Sequence, residues 1–187
     1  MNKKIIFVTT NKYKVEEANR LGVDYSIEFI QNDYDYPELR SDDTKEIAIQ
    51  GAKLAYARVG KPIIVEDSGL FVDALYDFPG TCSAYIFKRI GFDGILRLMM
   101  GVENRSAKMV SCIAYCEGKE VKTFYGAVEG NISEKLAGKF GFGFDPIFIP
   151  HGYEKTFAED QKVKSELSHR AKAFKKFCEW YQDGHKE

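Results

Sequence analysis

The sequence has no excess of either charge. Its 187 residues include 27 lysines and arginines against 28 aspartates and glutamates, which gives a formal net charge of −1. A charge balanced in this way gives no indication of a nucleic-acid partner. Any anionic ligand must therefore be bound by a local cluster of basic side chains rather than by the surface as a whole.

Paired cysteine motifs and long apolar runs are also missing. Cys82, Cys112, Cys116 and Cys178 do not show the paired spacing of a metal site, and we interpret them as reduced thiols in the core. The apolar run near the start of the sequence is too short for a signal peptide or a membrane span. We therefore expect a soluble, cytoplasmic protein that binds neither membranes nor nucleic acid.

The order of the predicted elements indicates one α/β domain, residues 1–187, with a mixed sheet flanked by helices. No repeat, linker or low-complexity segment divides the chain. Strands and helices alternate in the first half, and a long hairpin comes late. We expect this hairpin to form a second lobe, with a central substrate cleft between it and the first half. The predicted strands cover residues 4–9, 25–30 and a stretch from 62, and the hairpin covers 107–128. The predicted helices cover residues 11–21, 43–59, 82–90, 93–100 and 166–182.

The first candidate site is TTNKYK, residues 9–14, between the first strand and the first helix. A helix N-terminus exposes N–H groups at the positive end of the helix dipole, so it can bind a phosphate, with Thr9, Asn11 and Lys14 adding side-chain donors. The alternative is that Thr10 or Asn11 only caps the helix. The segment is not a Walker loop, because it lacks the glycines and the Gly-Lys-Ser/Thr ending.

Two carboxylates follow the apolar strand that begins near residue 62. In open α/β sheets ligands bind at the carboxyl ends of strands, so an acid in EDSG, residues 66–69, is well placed to bind Mg²⁺ or to activate water. Neighbours on a strand face opposite ways, so Glu66 and Asp67 should not point into one site. The alternative is an Asp that caps a Ser-Gly turn. Glu38 could be a second oxygen ligand, although an isolated acid in a polar loop is usually a solvated charge.

Basic residues gather in KSELSHR, residues 164–170, where the last helix is predicted to begin. A start near Ser165 would place Lys164, Ser168, His169 and Arg170 in about its first turn. Basic side chains there oppose the helix dipole, which suggests an anionic or carbonyl-bearing partner. A solvated charged face is the ordinary explanation.

Phenylalanine alternates with glycine in KFGFGFDPIFIP, residues 139–150. A strand would place Phe140, Phe142 and Phe144 on one face. The intervening glycines weaken a strand and leave its other face bare, as a tight bend or close contact with a ligand requires. An aromatic core strand and a slot for a flat ligand are therefore both open interpretations.

Together these segments resemble the inosine/xanthosine triphosphate pyrophosphatases, which hydrolyse non-standard purine nucleoside triphosphates. The resemblance extends over nearly the whole chain, and the order and spacing of its motifs are far more specific than any one of them. The matching segments are FVTTNKYKVEEA (7–18), VEDSGLFVDAL (65–75) with PG (79–80), GFGFDPIFIP (141–150), TFAE (156–159) and KSELSHRAKA (164–173).

The resemblance implies a two-lobed mixed α/β fold, usually a homodimer, that requires Mg²⁺ and releases a nucleoside monophosphate and pyrophosphate. By position, it implies that Asp67 is the catalytic or metal-binding carboxylate, that Glu38 is the other metal ligand, and that Ser68 contacts phosphate. The residues implied to hold the triphosphate are Thr9, Thr10, Asn11, Lys12, Tyr13 and Lys14. Those implied to line the nucleotide pocket are Phe142, Gly143, Phe144, Asp145, Lys164, His169 and Arg170.

Three positions depart from the family's pattern. Thr10 stands where glycine is usual, so a position that favours close backbone approach carries a β-branched side chain. Glu66 stands where many relatives have aspartate. Gly51 lies on the second helix where some members carry a lysine, and Lys53 follows two positions later.

Cleavage between the α- and β-phosphates needs an aligned water, a neutralised pyrophosphate and a proton acceptor. We expect Asp67 to orient or deprotonate the water, and Asp67 and Glu38 to anchor Mg²⁺. Donors such as Arg170 would favour the carbonyl of hypoxanthine or xanthine over the amino group of adenine. The alternatives are a sensor that binds a purine triphosphate without cleaving it, and a phosphatase with a covalent aspartyl intermediate. The clustered carboxylates speak against the sensor, and the first strand ends without the nucleophilic acid that the phosphatase needs.

Overall fold

The structure, a computed structural model, describes residues 2–184. Within them, one seven-stranded sheet has the strand order β2-β1-β3-β5-β6-β7, and β4 pairs with β3. The strands are β1 (Lys3–Val8), β2 (Ile27–Asn32), β3 (Ile63–Val72), β4 (Pro79–Gly80), β5 (Ser106–Glu117), β6 (Glu120–Ile132) and β7 (Phe148–Pro150). The helices are α1 (Lys12–Gly22), α2 (Thr44–Val59), α3 (Ser83–Leu98), α4 (Gln161–Leu167) and α5 (His169–Gln182).

The sheet is mixed, as the sequence predicted. β1 pairs in parallel with β2 and with β3, for which the crossover helices α1 and α2 supply the connections. β3 pairs antiparallel with β4, and β6 pairs antiparallel with β7. The predicted α/β fold class with a mixed sheet is confirmed, and no helix among residues 2–184 is long and apolar enough to cross a membrane.

The ends of α2 follow from local chemistry. The Asp43 side chain accepts a hydrogen bond from the backbone N–H of Lys45, and Gly60 closes the helix in the left-handed conformation, with φ of 66°. Glu46, three residues after the cap, accepts from the Ser41 hydroxyl, which in turn accepts from the Asp43 N–H. This short relay fastens the loop before α2 to the helix.

The chain divides into two compact units, with boundaries inside β3, β5, β6 and α5. The first unit comprises Met1–Asp67, Ser111–Gly126 and Arg170–Glu187, and the second comprises Ser68–Val110 and Ala127–His169. The prediction that the hairpin forms its own lobe is wrong, because its tip belongs to the first unit and its base to the second. Its two long arms are therefore parts of two cores. The position of the substrate cleft stays a prediction.

Each unit has its own apolar core. In the first, Phe7, Phe29, Phe174 and Phe177 pack into one buried cluster, and small residues of α2 form another with β1, β3 and β5. In the second, β3, α3, β5 and β6 enclose Leu70, Ile95 and Phe148 among others. Three of the cysteines are buried free thiols, as predicted, whereas Cys82 is exposed.

The structure corrects two local predictions and excludes the strand interpretation of the phenylalanine–glycine segment. β3 does not turn at EDSG but continues through it to Val72. Phe140, Phe142 and Phe144 do not form a strand, since the first strand residue after this loop is Phe148. A separate helix, α4, already begins at Gln161, capped by Asp160, and ends before Ser168. The predicted basic cluster is therefore divided between two helices. Lys164 lies within α4, Ser168 lies between α4 and α5, and His169 and Arg170 begin α5.

Candidate active site

The β1–α1 junction is built around an asparagine cap. The Asn11 side chain accepts from the N–H of Tyr13 at 3.0 Å, and the Asn11 N–H donates to the Thr9 hydroxyl at 3.2 Å. The capping interpretation is thus confirmed for Asn11, while Thr10 and Lys12 are exposed. The cap holds the start of α1 in place. Phosphate binding at this junction stays a prediction.

Lys14 points from this junction to β3. Its ammonium lies 2.7 Å from the Glu66 carboxylate and donates to the Glu66 carbonyl at 3.0 Å. The other carboxylate oxygen of Glu66 accepts from the Ser111 hydroxyl at 2.6 Å and lies 3.2 Å from Nε of Arg170. Arg170 also donates to Glu17 at 2.8 Å. A buried cluster of two cations and two carboxylates therefore joins α1, β3 and α5.

Glu66 stays ionised in this cluster. Burial alone would raise the pKa of its carboxyl, but the charges of Arg170 and Lys14 and the hydrogen bonds from Lys14 and Ser111 outweigh it and lower that pKa well below its ordinary value. A fully buried carboxylate is stable only when it is paired in this way. Glu66 is therefore engaged in holding Lys14 and Arg170.

Because side chains alternate along β3, Asp67 belongs to the face of the strand opposite that of Glu66. It is half-buried, whereas the Glu66 side chain is fully buried. Burial raises the pKa of the Tyr36 hydroxyl, and the negative charges of Glu38, Asp67, Glu66 and Asp35 raise it further. Burial of the Cys112 thiol raises its pKa to about 12, and the negative charges of Glu66, Asp43 and Asp67 add to this effect.

Both predicted metal ligands, Asp67 and Glu38, carry carboxylate oxygens, the ligand type that Mg²⁺ prefers. In the part of the chain that the structure describes, no three His, Cys, Asp or Glu side chains are grouped closely enough to hold a metal ion. Mg²⁺ is usually bound through one or two carboxylates together with substrate phosphates and water. Asp67 and Glu38 fit that pattern.

In the second unit, an irregular loop replaces the predicted aromatic strand. Gly141 and Gly143 have positive φ values, 76° and 63°, which the glycines allow at little cost. A Cβ at Gly141 would collide with the Asp145 carboxylate. Phe140 is exposed, Phe142 is half-buried, and Phe144 is buried edge-on against Phe87, with ring centroids 5.3 Å apart. The alternation of phenylalanine and glycine thus marks a tight bend.

Asp145 organises this loop. One of its carboxylate oxygens accepts from the N–H of Phe142 at 2.7 Å and from the ammonium of Lys164 at 2.6 Å, with both side chains almost fully buried. The Lys164 ammonium also lies over the Phe142 ring, 4.7 Å from its centroid. An ion pair therefore fixes the orientation of Phe142.

The TFAE motif supports the same loop. Thr156 donates to the carbonyl of Ala137 at 2.9 Å, and Glu159 accepts from the Thr156 N–H at 2.9 Å. The carbonyl of Ala158 accepts from the backbone of Lys139 and Phe140. These bonds explain why a short motif distant in sequence accompanies the glycine-rich loop.

The remaining predicted residues fall in both units. Asp67 ends the first unit and Ser68, half-buried, begins the second. His169 is buried at the end of the second unit, and Arg170 begins the next segment of the first. Arg170, which we expected to face the base, has its guanidinium against Glu66 and Glu17.

Sequence reasoning missed the roles of Glu66, Ser111 and Tyr36. A glutamate inside an apolar strand signals a buried carboxylate that must find a cation, and this signal was available. Its partners are 52 residues before it and more than 100 after it, at Lys14 and Arg170, so no local pattern identifies them. Tyr36 gave no signal beyond its position near Glu38.

The fold and these residues define a class, a mixed-sheet α/β protein with a capped, lysine-bearing helix start, two adjacent acidic residues on a central strand and an aromatic loop beside a lysine. The model of the Ham1 family matches residues 5–180. The chain therefore belongs to the Ham1 family, which agrees with the resemblance stated from the motifs.

Similar proteins cover the chain nearly end to end. A protein of Methanopyrus kandleri named dITP/XTP pyrophosphatase is 49% identical over 182 residues, covering 96% of this chain and 97% of its own. One of Thermococcus kodakarensis with the same name is 45% identical, covering 96% and 98%. The structure of the Staphylococcus aureus Ham1 protein superposes with a TM-score of 0.82 at 30% identity, covering 98% of this chain and all of that one.

Proposed function

We propose that this protein hydrolyses non-standard purine nucleoside triphosphates, namely ITP, dITP and XTP, to the nucleoside monophosphate and pyrophosphate. The observation that carries the proposal is the near-complete match to two proteins named dITP/XTP pyrophosphatase, at 49% and 45% identity. The arrangement of acidic and basic residues supports it. The activity would remove these nucleotides from the cellular pool.

Asp67 is the catalytic carboxylate in this proposal. Its side chain orients a water towards the α-phosphorus and accepts the proton as the new phosphorus–oxygen bond forms and the bond to the pyrophosphate oxygen breaks. Its placement opposite the buried Glu66 supports this assignment, because Glu66 is already engaged by Lys14 and Arg170. The second carboxylate of the reaction is then Glu38.

Mg²⁺ would be held by Asp67 and Glu38 and, when bound, would neutralise phosphate charge and stabilise the leaving pyrophosphate. Both side chains belong to the first unit and carry the carboxylate oxygens that Mg²⁺ prefers, which supports this pairing. Residues 9–14 would bind the triphosphate, since the capped start of α1 presents backbone donors, and Ser68 would add a hydroxyl. Lys14 would contribute positive charge while Glu66 holds it in place.

The base would be recognised by the loop that contains Phe142 and by Lys164. Phe144 is buried against Phe87, so the half-buried Phe142 is the ring that we propose stacks on the purine. An ammonium carries donors only, which suits a carbonyl at position six and opposes an amino group there. His169 and Arg170 stay predicted pocket residues.

A substrate panel tests the proposal. Purified protein is incubated with ITP, dITP, XTP, ATP and GTP under one Mg²⁺ concentration, and monophosphate, pyrophosphate and free phosphate are quantified. We expect ITP, dITP and XTP to yield pyrophosphate with kcat/KM well above that for ATP. Free phosphate instead would indicate a phosphatase, and tight binding without product would indicate a sensor.

Two further properties are proposed on the resemblance alone. We expect a homodimer in solution and a cytoplasmic location. Light scattering on the purified protein measures the first, and a mass equal to one chain would contradict it.

A further inference from the structure

Gly51 is a glycine in the buried middle of α2, where its backbone conformation does not require one. Glycine is among the least favourable residues in a helix interior. Gly51 lies well inside Thr44–Val59 and has no positive φ. The reason for a glycine here must therefore lie in what packs against it.

The ring of Tyr36 occupies the space where a side chain of residue 51 would be. An added Cβ would stand 2.7 Å from both Cε2 and the hydroxyl oxygen of Tyr36, and 2.9 Å from Cζ. Those distances are too short for contact, so any side chain would displace the ring. Tyr36 packs partly buried on the cluster that contains Ala48 and Ala52 of the same helix.

This packing anchors an otherwise irregular segment. Residues 33–43 contain no helix or strand, and residues 37–40, which include Glu38, are all exposed. The N–H of Tyr34 bonds to Asn32 at one end, and the Ser41 relay fastens the other end. Between these ends, the partly buried Tyr36 is two residues from the exposed Glu38, and the cluster on which its ring packs includes Val65, two residues before Asp67.

We propose that Tyr36, seated over Gly51, is a positioning residue that presents the Glu38 carboxylate to the metal ion that Asp67 also binds. The inference rests on the proposed function, in which Glu38 and Asp67 bind Mg²⁺. It assigns Gly51 a specific role, because only glycine leaves room for the ring. Neither residue needs to touch the substrate.

Metal binding, measured directly, tests the inference. Mn²⁺, a paramagnetic substitute for Mg²⁺, is titrated into the full chain with an α,β-imido analogue of ITP, and free Mn²⁺ is followed by EPR. Tyr36→Ala and Gly51→Ala remove or displace the ring independently, and each should weaken Mn²⁺ binding about 10-fold or more, as loss of a ligand's supporting contact does. Tyr36→Phe keeps the ring and should stay within about three-fold of the wild type by the same reasoning.

Two controls separate positioning from general damage. Tyr56→Ala removes another partly buried tyrosine from the same cluster, and Lys53→Ala changes an exposed neighbour on α2. Both should leave Mn²⁺ binding unchanged, and melting temperatures identify any variant that does not fold. Because Tyr36→Ala and Gly51→Ala are separate routes to the same loss, either variant carries the test alone if the other does not fold.

Glu38→Ala distinguishes the two levels of the argument. If it weakens Mn²⁺ binding and the Tyr36 and Gly51 variants do so as well, the inference is supported. If it weakens binding but those variants match the wild type, the inference is overturned while the proposed metal site stands. If Glu38→Ala itself has no effect, the metal site and the inference built on it both fail.

Discussion

Replacing Glu66 with Gln tests the buried ion cluster most severely. The substitution keeps the size of the side chain but removes the charge that Lys14 and Arg170 face at 2.7 and 3.2 Å. The NH₂ group of the Gln side chain would also face an N–H donor of Lys14 or Arg170 instead of an acceptor. Breaking a buried pair by neutralising one partner costs about 3–5 kcal/mol. In a chain of this length each kcal/mol lowers Tm by about 2–4 °C, so we expect a loss of about 6–20 °C at pH 7.

The matched control is Glu28→Gln. Glu28 pairs with Lys4 at 3.5 Å, with side chains 43% and 68% exposed, so solvent screens the pair. Its loss should cost less than about 1 kcal/mol. Both variants are melted by circular dichroism in the same buffer. If Glu66→Gln melts within about 2 °C of the wild type, the stabilising role that we assign to the cluster is refuted.

The pH dependence follows from the direction of the pKa shift. The pKa of Glu66 is lowered by folding, so its stabilising contribution is fully present above its ordinary pKa of 4.5 and is lost as pH falls towards the folded-state value. The difference in Tm between the wild type and Glu66→Gln should be constant from pH 7 to about 5 and should narrow below about 4.5. A difference that grows on acidification would contradict the shift.

Four further substitutions address the proposed catalysis and base recognition. Asp67→Asn should leave the affinity for the imido analogue of ITP largely intact but lower kcat by about 10²–10⁴-fold, because Asn cannot accept the proton, and an unimpaired rate would exclude Asp67 as the base. Phe142→Ala should weaken nucleotide binding, measured by calorimetry, by about 1–3 kcal/mol, because a stacking ring is lost. Phe144→Ala should instead lower Tm, measured by melting curves, because it leaves a core cavity that costs about 3–5 kcal/mol. The reverse pattern would place the base on Phe144. Lys164→Met should shrink the ratio of kcat/KM for ITP over ATP by about 5–150-fold, equivalent to 1–3 kcal/mol, and an unchanged ratio would remove Lys164 from base selection.

Local chemistry made much of the fold predictable. The caps at Asp43 and Gly60 bound α2 where the sequence placed it, and the turn at Gly118, with φ of 78°, joins the two predicted arms of the hairpin. These signals depend on residues a few positions apart. They required no knowledge of tertiary contacts.

Two of the errors share a physical cause, which is dependence on distant partners. The EDSG segment is typical of a turn, since two adjacent carboxylates are unusual in a buried strand. Lys14 and Arg170 neutralise Glu66, however, and β3 therefore continues through the segment. The glycine-rich loop has the alternation of a strand, but it bends because Asp145 holds it, and Asp145 is paired with Lys164 of α4. In both cases an ion pair across the fold overrides a local pattern.

The fate of the attacking oxygen tests the central claim most directly. dITP is hydrolysed by the protein in oxygen-18 water with Mg²⁺, and the products are examined by phosphorus NMR and mass spectrometry. A water directed at the α-phosphorus predicts one labelled oxygen in the nucleoside monophosphate and unlabelled pyrophosphate. Label in the pyrophosphate, or release of free phosphate, would contradict the account.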